Sequence, residues 1–526
     1  MPPRVGVGVT KTHLTLAEAT EMALRNNLEI EIEKTNTANA MQAIKAARGA
    51  FDPVFRFEPG YENRNTPASS VLQGAGGNLS ESFATQNFYF RQKTPWYGSS
   101  FHIDFENSRQ ATSNTFATLN PLRTSRFLAG VSFPLLRNRD TDAERAEISI
   151  RSRQADISDV DFELRVIDVV ARVEQAYWDL VAARQDVQVK ADGVEWAREQ
   201  LARNQRMIGA GTLAPVELAA SEAELQRRID TWLTSVGMVT EVENHLKSLL
   251  APSRDSPLWG DQIVPSDVNL MTPPTGELQE AVARALKQRP ELRQVGLRLD
   301  ANEVQKELNT NQAKPQVNLV ANYWSSGLGG SIRPGENPFS ASNTVLYQRL
   351  NQLSSIAGLA PIDAPAFDDL PPNLVGGYGT ALDNLIAGRY QSVQVGIAFD
   401  LNLRNRTAEA NLAQSTIAER RLKLERSRME QLIQAQVRNS LQALETARQR
   451  ITAAEASERA AREKLESETR LFQSGESTNF LVLTRQNEYL DSRGRAVVAR
   501  LEFNRAVSRL EQAIGSTLQT HKINLP

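Results

Sequence analysis

His13, His102, His245 and His521 are the chain's only histidines. They fall far apart, with no HExxH spacing that would aim two imidazoles and a carboxylate at one zinc ion. There is no cysteine, which excludes disulfides, thiolate zinc sites and a cysteine nucleophile. No GxxxxGK[ST] loop offers a phosphate cradle and no GxSxG elbow offers an activated serine. The short glycine runs at 6–8, 209–211 and 327–330 read as a flexible terminus, a helix turn and a strand-end loop. The Arg/Glu-rich run ERRLKLERSRMEQ reads as a solvated helix face. The expectation is therefore a protein that is not an enzyme and holds neither cofactor nor metal.

Composition narrows what else it does. Sixty basic against 62 acidic side chains give a net charge of −2, leaving no basic footprint for a nucleic-acid partner. Mean hydropathy is −0.41, and no run approaches the roughly 18–20 apolar residues of a spanning helix. The apolar stretch Val5–Val9 is shorter than the roughly 7–15-residue core of a secretory signal, so export has to be argued from other features.

The elements that would position any function are written twice. Sliding the sequence by 262 lays LAEATEMALRNNLEI (16–30) on LQEAVARALKQRPEL (278–292), Pro53 on Pro315 and Tyr61 on Tyr323. A slide of 266 lays GVSFPL on GIAFDL, and one of 264 lays Gly211 on Gly475. Two structural repeats follow, 1–250 and 277–526, joined by a Pro-rich connector at 251–276. Each reads as medium helix, strands, very long helix, Gly-containing turn and medium helix. The expected strands are 53–64 and 126–136 in the first repeat, 315–325 and 391–403 in the second.

The long segments, about 141–208 and 407–472, lack proline and carry apolar residues at helical spacing. Val437, Leu441, Leu444 and Ile451 step by 4, 3 and 7, a narrow coiled-coil seam. At about 1.5 Å per residue each makes a rod of roughly 100 Å. The medium helices are predicted to lie antiparallel to it, end to end.

The strands alternate. Phe55, Phe57 and Tyr61 share one face, as do Val317, Leu319 and Tyr323. Phe127, Val131 and Phe133 match Val393, Val395, Ile397 and Phe399. Such alternation also fits a soluble sheet with one wet face. No amphipathic helix is left over to cover the apolar side, however, and strands near 10 residues with flanking aromatics suit an outer-membrane barrel. Those thirteen residues are then lipid-facing. Four strands cannot close a barrel, and an open edge in lipid leaves backbone groups unpaired. The chain must oligomerise.

This order of elements resembles the TolC-like outer membrane factor family, the exit ducts of bacterial efflux pumps and type I secretion systems. The pieces that carry the resemblance are LTLAEATEMALRNNLEI, AARGAFDP, FATLNP…GVSFPLLRN, GGYGTALDNLIAGRYQSVQVGIAFDLNLRNRTAEANLA and the two turns near Gly211 and Gly475. It implies a mainly α chain with a β-barrel part, the internally duplicated helices forming an antiparallel coiled-coil α-barrel. It implies a homotrimer closing a twelve-stranded barrel in outer-membrane lipid, with a long periplasmic extension. A periplasmic adaptor would open the duct, and an inner-membrane pump would supply the energy. Adaptor contact and gating fall to Arg206, Gly211, Thr212, Leu213 and Leu218 in the first turn, and Arg470, Gly475, Ser477, Thr478 and Phe480 in the second. Where some members carry acidic residues past the second turn this chain has Leu481 and Thr484, which argues against a cation-plugged gate. An extra hairpin at 83–109 either extends outside the cell or adds staves to the barrel. The Pro/Gly-rich loop 331–390 is expected to be extracellular. The alternative reading is a periplasmic coiled-coil scaffold or adaptor that forms no channel.

Overall fold

A computed structural model describes residues 2–8, 10–68, 77–267, 269–333, 338–363 and 370–525. In chain order the first repeat contains β1 (Lys11–Leu14), α1 (Leu16–Asn26), α2 (Leu28–Arg48) and β2 (Val54–Pro67). It continues with β3 (Asn78–Lys93), β4 (Ser100–Thr112), β5 (Leu119–Pro134), α3 (Ala143–Gly209) and α4 (Val216–Leu250). The connector holds β6 (Gln262–Pro265). The second repeat contains α5 (Leu278–Gln288), α6 (Pro290–Gln312), β7 (Gln316–Ile332), α7 (Pro338–Ile356) and α8 (Tyr378–Ile386). It closes with β8 (Tyr390–Asp400), α9 (Arg406–Gln473), α10 (Asn479–Ile514) and α11 (Thr517–Thr520). The chain divides into two compact units, one of residues 1–42, 152–301 and 418–526, the other of 43–151 and 302–417.

The first unit is built on seams of the long helices. Val166, Val169, Val170, Val173, Tyr177 and Leu180 of α3 recur at steps of three and four, and are buried against Val236, Val239, Leu246 and Leu250 of α4. In the second repeat Ile433 and Val437 of α9 pack with Ala281 and Ala285 of α5 and with Leu510 and Ile514 of α10. Further along, Ala447 and Ile451 meet Phe503 and Val507. Of the expected seam, Val437 and Ile451 are buried, while Leu441 and Leu444 pack partly buried beside them.

The first medium helix of each repeat breaks once, at equivalent positions. Asn27 and Arg289 both leave the helical conformation, with ψ of 124° and 121°. Asn27 caps α2 by accepting from Glu29 N at 2.9 Å. Arg289 is driven extended by Pro290, which itself suits a first helical turn. Both side chains then satisfy carbonyls at the end of the following medium helix. Asn27 Nδ2 donates to Leu249 O at 3.1 Å, and Arg289 Nη1 to Gln512 O at 3.2 Å. The C-terminus of α4 therefore abuts the α1–α2 break, and that of α10 the α5–α6 break. The connector is more ordered than its composition suggests, since β6 pairs in parallel with β1. The buried Lys247 ammonium holds it, pairing with Glu243 at 2.9 Å and donating to Trp259 O at 3.1 Å.

The second unit carries one antiparallel sheet of six strands, in the order β2-β3-β4-β5-β7-β8. The extra hairpin lies inside the sheet, β3 covering β2 from Val54↔Arg91 to Pro67↔Asn78 and β4 pairing with β5. The 331–390 segment is not simply a loop. Strand β7 runs into it as far as Ile332, and α7 and α8 follow; residues 334–337 and 364–369 lie outside the described residues. Glycines make the β7 extension possible, because α8 lies directly on it: a Cβ at Gly327 would stand 1.8 Å from Ala381 O. Asn384 Nδ2 donates to Leu328 O at 2.9 Å and Ser325 Oγ to Leu385 O at 2.8 Å, fixing α8 there.

Tyr177 is fully buried on α3, its hydroxyl donating to Leu14 O at 3.0 Å and accepting from Asp267 N at 3.1 Å. It clips β1 and the connector to the long helix. Tyr177→Phe is expected to cost about 1–3 kcal/mol by orphaning those buried groups. The check is thermal unfolding in detergent, where a melting temperature equal to the parent's would deny the clip any weight.

Candidate functional site

Two regions carry the chain's distinctive geometry: the faces and edges of the sheet, and the two turns that close the long helical hairpins. Cross-strand partners share a face, so the register sorts every side chain. On one face Phe55 and Phe57 of β2 stand opposite Phe90 and Phe88 of β3, which face Ile103 and Phe105 of β4. These meet Ala129 and Phe127 of β5, and the row continues through Tyr323, Ala321 and Leu319 of β7 to Val393, Val395 and Ile397 of β8. Ring centroids of Phe57 and Phe88 lie 4.7 Å apart and those of Phe127 and Tyr323 6.4 Å apart.

Much of this apolar row is open to its surroundings. Phe55 is 65%, Tyr61 75%, Val393 71% and Phe399 64% exposed. Val131, Leu319, Val395, Ile397 and Phe57 are also exposed, whereas Phe127, Phe133 and Tyr323 are half-buried among their neighbours. Val317 departs from the expectation. It is buried at 8%, where Leu135 N donates to its carbonyl at 2.7 Å and the chain leaves β5 for the start of α3. The opposite face carries Arg56, Glu58, Glu62, Arg91, His102, Asp104, Glu106, Asn322 and Gln394. Gly130 leaves room there for His102 and Asn322 to lean across it from both neighbouring strands. Strands β2 and β8 are the edges, each exposed along nearly its whole length.

The turns are one design used twice. After α3, Gly211 adopts φ +74°, with Gly211 N donating to Ile208 O and Thr212 N to Met207 O. After α9, Gly475 adopts φ +82°, with Gly475 N donating to Phe472 O and Glu476 N to Leu471 O. The left-handed residue closes the last carbonyls of each helix, the geometry that favours glycine. Thr478 caps α10, accepting from Leu481 N at 3.4 Å. Arg206, Thr212, Arg470 and Phe480 are exposed, Phe480 at 71%; Leu213 and Leu218 are half-buried, and half-buried Ser477 donates to Glu468.

A buried polar network joins the two hairpins just behind their turns, and sequence reasoning did not find it. Gln200 Nε2 donates to Asn204 Oδ1 at 3.1 Å and to Asn479 Oδ1 at 2.8 Å. Asn204 Nδ2 donates to Ser221 Oγ at 2.7 Å, and Asn479 Nδ2 to Glu217 at 3.0 Å. Further along, buried Arg228 donates to Gly193 O at 2.9 Å, Gln486 Oε1 at 3.2 Å and Asn487 Oδ1 at 3.1 Å. Burial works against the Glu224 carboxylate beside it, but hydrogen bonds from Arg227 and Arg228 hold its pKa down to about 2. Arg493 pairs with Asp192 at 2.7 Å. The signal in the sequence was a run of polar residues at core spacing.

One histidine that looked isolated is not. His521, just after α11, bonds Glu174 of α3, beside Glu511 of α10 and with Ser508 donating to Glu174. Donor atoms of Glu174, Glu511 and His521 lie within 4.8 Å of one another, a set that could hold a divalent cation or share a proton. Burial, with Glu174 adding to it, pushes Glu511 up to about 7. Burial opposes the His521 charge, but the bond to Glu174 outweighs it and raises the pKa. The partners lie 347 residues apart in sequence, so no local spacing pointed to them.

Residues 368–516 match the family model for outer membrane efflux proteins. Over that stretch the chain is similar to outer membrane efflux proteins. A likeness of fold to outer membrane channels extends well beyond that segment. The Campylobacter jejuni CmeC outer membrane channel is 14% identical with a TM-score of 0.64, covering 97% of this chain and 90% of its own. The outer membrane protein VceC of Vibrio cholerae is 12% identical with a TM-score of 0.61, covering 95% and 96%. The open state of the Neisseria gonorrhoeae MtrE outer membrane channel is 14% identical with a TM-score of 0.58, covering 96% and 89%. No curated protein matches by sequence.

The raised pKa values of Glu511 and His521 set a pH dependence. Both groups favour the protonated form when folded, so their contribution is complete at low pH. Glu511's is lost as pH rises from about 4.5 to about 7, and His521's as pH passes its raised folded value. The melting temperature should therefore fall as pH rises from about 4.5 to about 7 and on through the raised His521 value, by the equivalent of about 1–3 kcal/mol per chain. Glu511→Gln should flatten the slope; an unchanged slope would remove Glu511 from the account.

Proposed function

We propose that this chain is the outer-membrane exit duct of a tripartite efflux or type I secretion system. The observation that carries the reading is the sheet: one face mainly apolar across all six strands, the other carrying most of the charged and amide side chains, and two edges with unpaired backbone. Lipid accepts the first face and water the second, and the edges require further copies of the same chain. Three copies, the number the family resemblance implies, close the barrel. The paired long helices give each copy a periplasmic wall. Cargo is driven by an inner-membrane pump, the duct itself being passive.

The turns are the adaptor's contact and the gate. Exposed Phe480, Val216 and Leu471 beside Arg206 and Arg470 offer apolar anchors rimmed with charge. The Gln200–Asn479–Glu217 links hold the two hairpins of one copy together at the closed end, and the adaptor releases them. A scaffold without a channel gains no support from an observation of its own, since an exposed apolar sheet face would be a liability in water.

Single-channel recording of the purified, detergent-extracted protein in a planar bilayer tests both parts. Discrete steps are expected, small at rest and several-fold larger in a Gln200→Ala/Asn479→Ala variant. A protein that stays soluble without detergent and never inserts would return the scaffold reading. Steps that appear but do not respond to the double variant would move the gate elsewhere.

A further inference from the structure

Among the described residues the hairpin β3–β4 has no counterpart in the second repeat, where β7 and β8 stand side by side. A hairpin that merely projected outside the cell would pair with itself and diverge from the sheet. Instead both strands are hydrogen-bonded on both sides over most of their length. Its turn also lies at the end of the sheet from which the helices leave. Gly98, at φ +65°, sits so close to the start of α3 that a Cβ would stand 2.3 Å from Asn138 O, and Lys93 pairs with Glu144. The hairpin therefore spans the full height of the sheet.

Its side chains obey the two-faced pattern in register. Phe88, Phe90 and Phe105 continue the apolar row, with Phe88 and Phe105 centroids 6.3 Å apart, while Asn87, Asp104 and Glu106 continue the polar one. Adding two strands also preserves direction, so β2 and β5 still run as a closed antiparallel barrel requires.

We infer that β3 and β4 are barrel staves, so that three copies of this chain, joined edge to edge through β2 and β8, close an eighteen-stranded barrel. This rests on the duct reading above and deepens it. With strands about 4.8 Å apart and tilted by about 40°, twelve staves give a backbone diameter of about 24 Å and eighteen about 36 Å. The lumen's cross-section rises a little over twofold. At eighteen strands a barrel leaves an open aqueous channel with its side chains in place. The outer-membrane part of this duct is thereby suited to bulkier or more hydrated cargo than a twelve-stranded one, and does not limit flow.

The chain has no cysteine, so single spin labels can be placed without background. Phe88→Cys and Phe105→Cys report the apolar side of the hairpin, Asn87→Cys and Glu106→Cys the polar side. Val395→Cys and Gln394→Cys on β8 report the two faces of the sheet independently of the hairpin. In proteoliposomes, labels at 88, 105 and 395 should collide with dissolved oxygen. Labels at 87, 106 and 394 should collide with a water-soluble nickel chelate. A lipid-facing 395 with water-exposed 88 and 105 would overturn the eighteen-stranded barrel and leave the duct standing. A water-exposed 395 would overturn the duct itself. Native mass of the assembly supplies the remaining number, and any count other than three copies overturns eighteen.

Discussion

A backbone amide in hydrocarbon has nowhere to turn for a hydrogen bond except to another backbone, and the second unit follows from that. Two rows of N–H and C=O groups remain open, on β2 and β8, and each unpaired group in lipid would cost several kcal/mol. On the duct reading proposed above, one chain is not a finished object. The same rule governs insertions. A single added strand would reverse β5 and everything after it; a hairpin adds staves in pairs and leaves the rest of the chain where it was. Alternation then sorts the side chains, and a slip of one residue would put Arg56 and Glu58 where Phe55 and Phe57 stand.

Duplication shows which constraints are strict. The chain reaches the same solution twice at the turns, where Gly211 and Gly475 bear the same positive φ and the same pair of hydrogen bonds. It also breaks the first medium helix of each repeat at the same place by different means, an asparagine cap in one repeat and an Arg-Pro pair in the other. What must be kept is the break and the capping of the neighbouring helix end, and either residue supplies both. The repeats diverge in the sheet and its connections, with the hairpin in one and α7 and α8 in the other.

Much of this was legible. Apolar residues at steps of three and four announced the long helices, proline marked where the first medium helix of each repeat gives way to strand, and alternation named the faces of β2, β5, β7 and β8. The hairpin's alternation was visible too, but its place in the sheet depends on register between strands, which no single segment encodes. Strand β6 was hidden because four residues of a Pro-rich connector pair in parallel with a partner some 250 positions away. The extension of β7 was hidden by Gly327, Gly329 and Gly330, which read as a loop until α8 supplies the packing that glycine permits. His521 and Val317 misled for one shared reason: burial of a particular side chain is set by what distant segments bring to it.

The distribution of polar residues along the helices sets where they part at least cost. Around Val166–Leu180 most contacts of α3 are apolar, Glu174 and the Tyr177 hydroxyl excepted, and separating them would expose surface at about 25 cal/mol per Å². Around Gln200–Arg228 the buried contacts are amides, hydroxyls and an arginine. Those groups exchange one partner for water when they part, so each bond's net worth is only about 1 kcal/mol. The closed arrangement is specific because every donor has its acceptor. It is shallow because water is an adequate substitute. Helices whose contacts are mainly apolar toward the middle and polar near the turns are held more tightly in the middle, and part at lower cost near the turns.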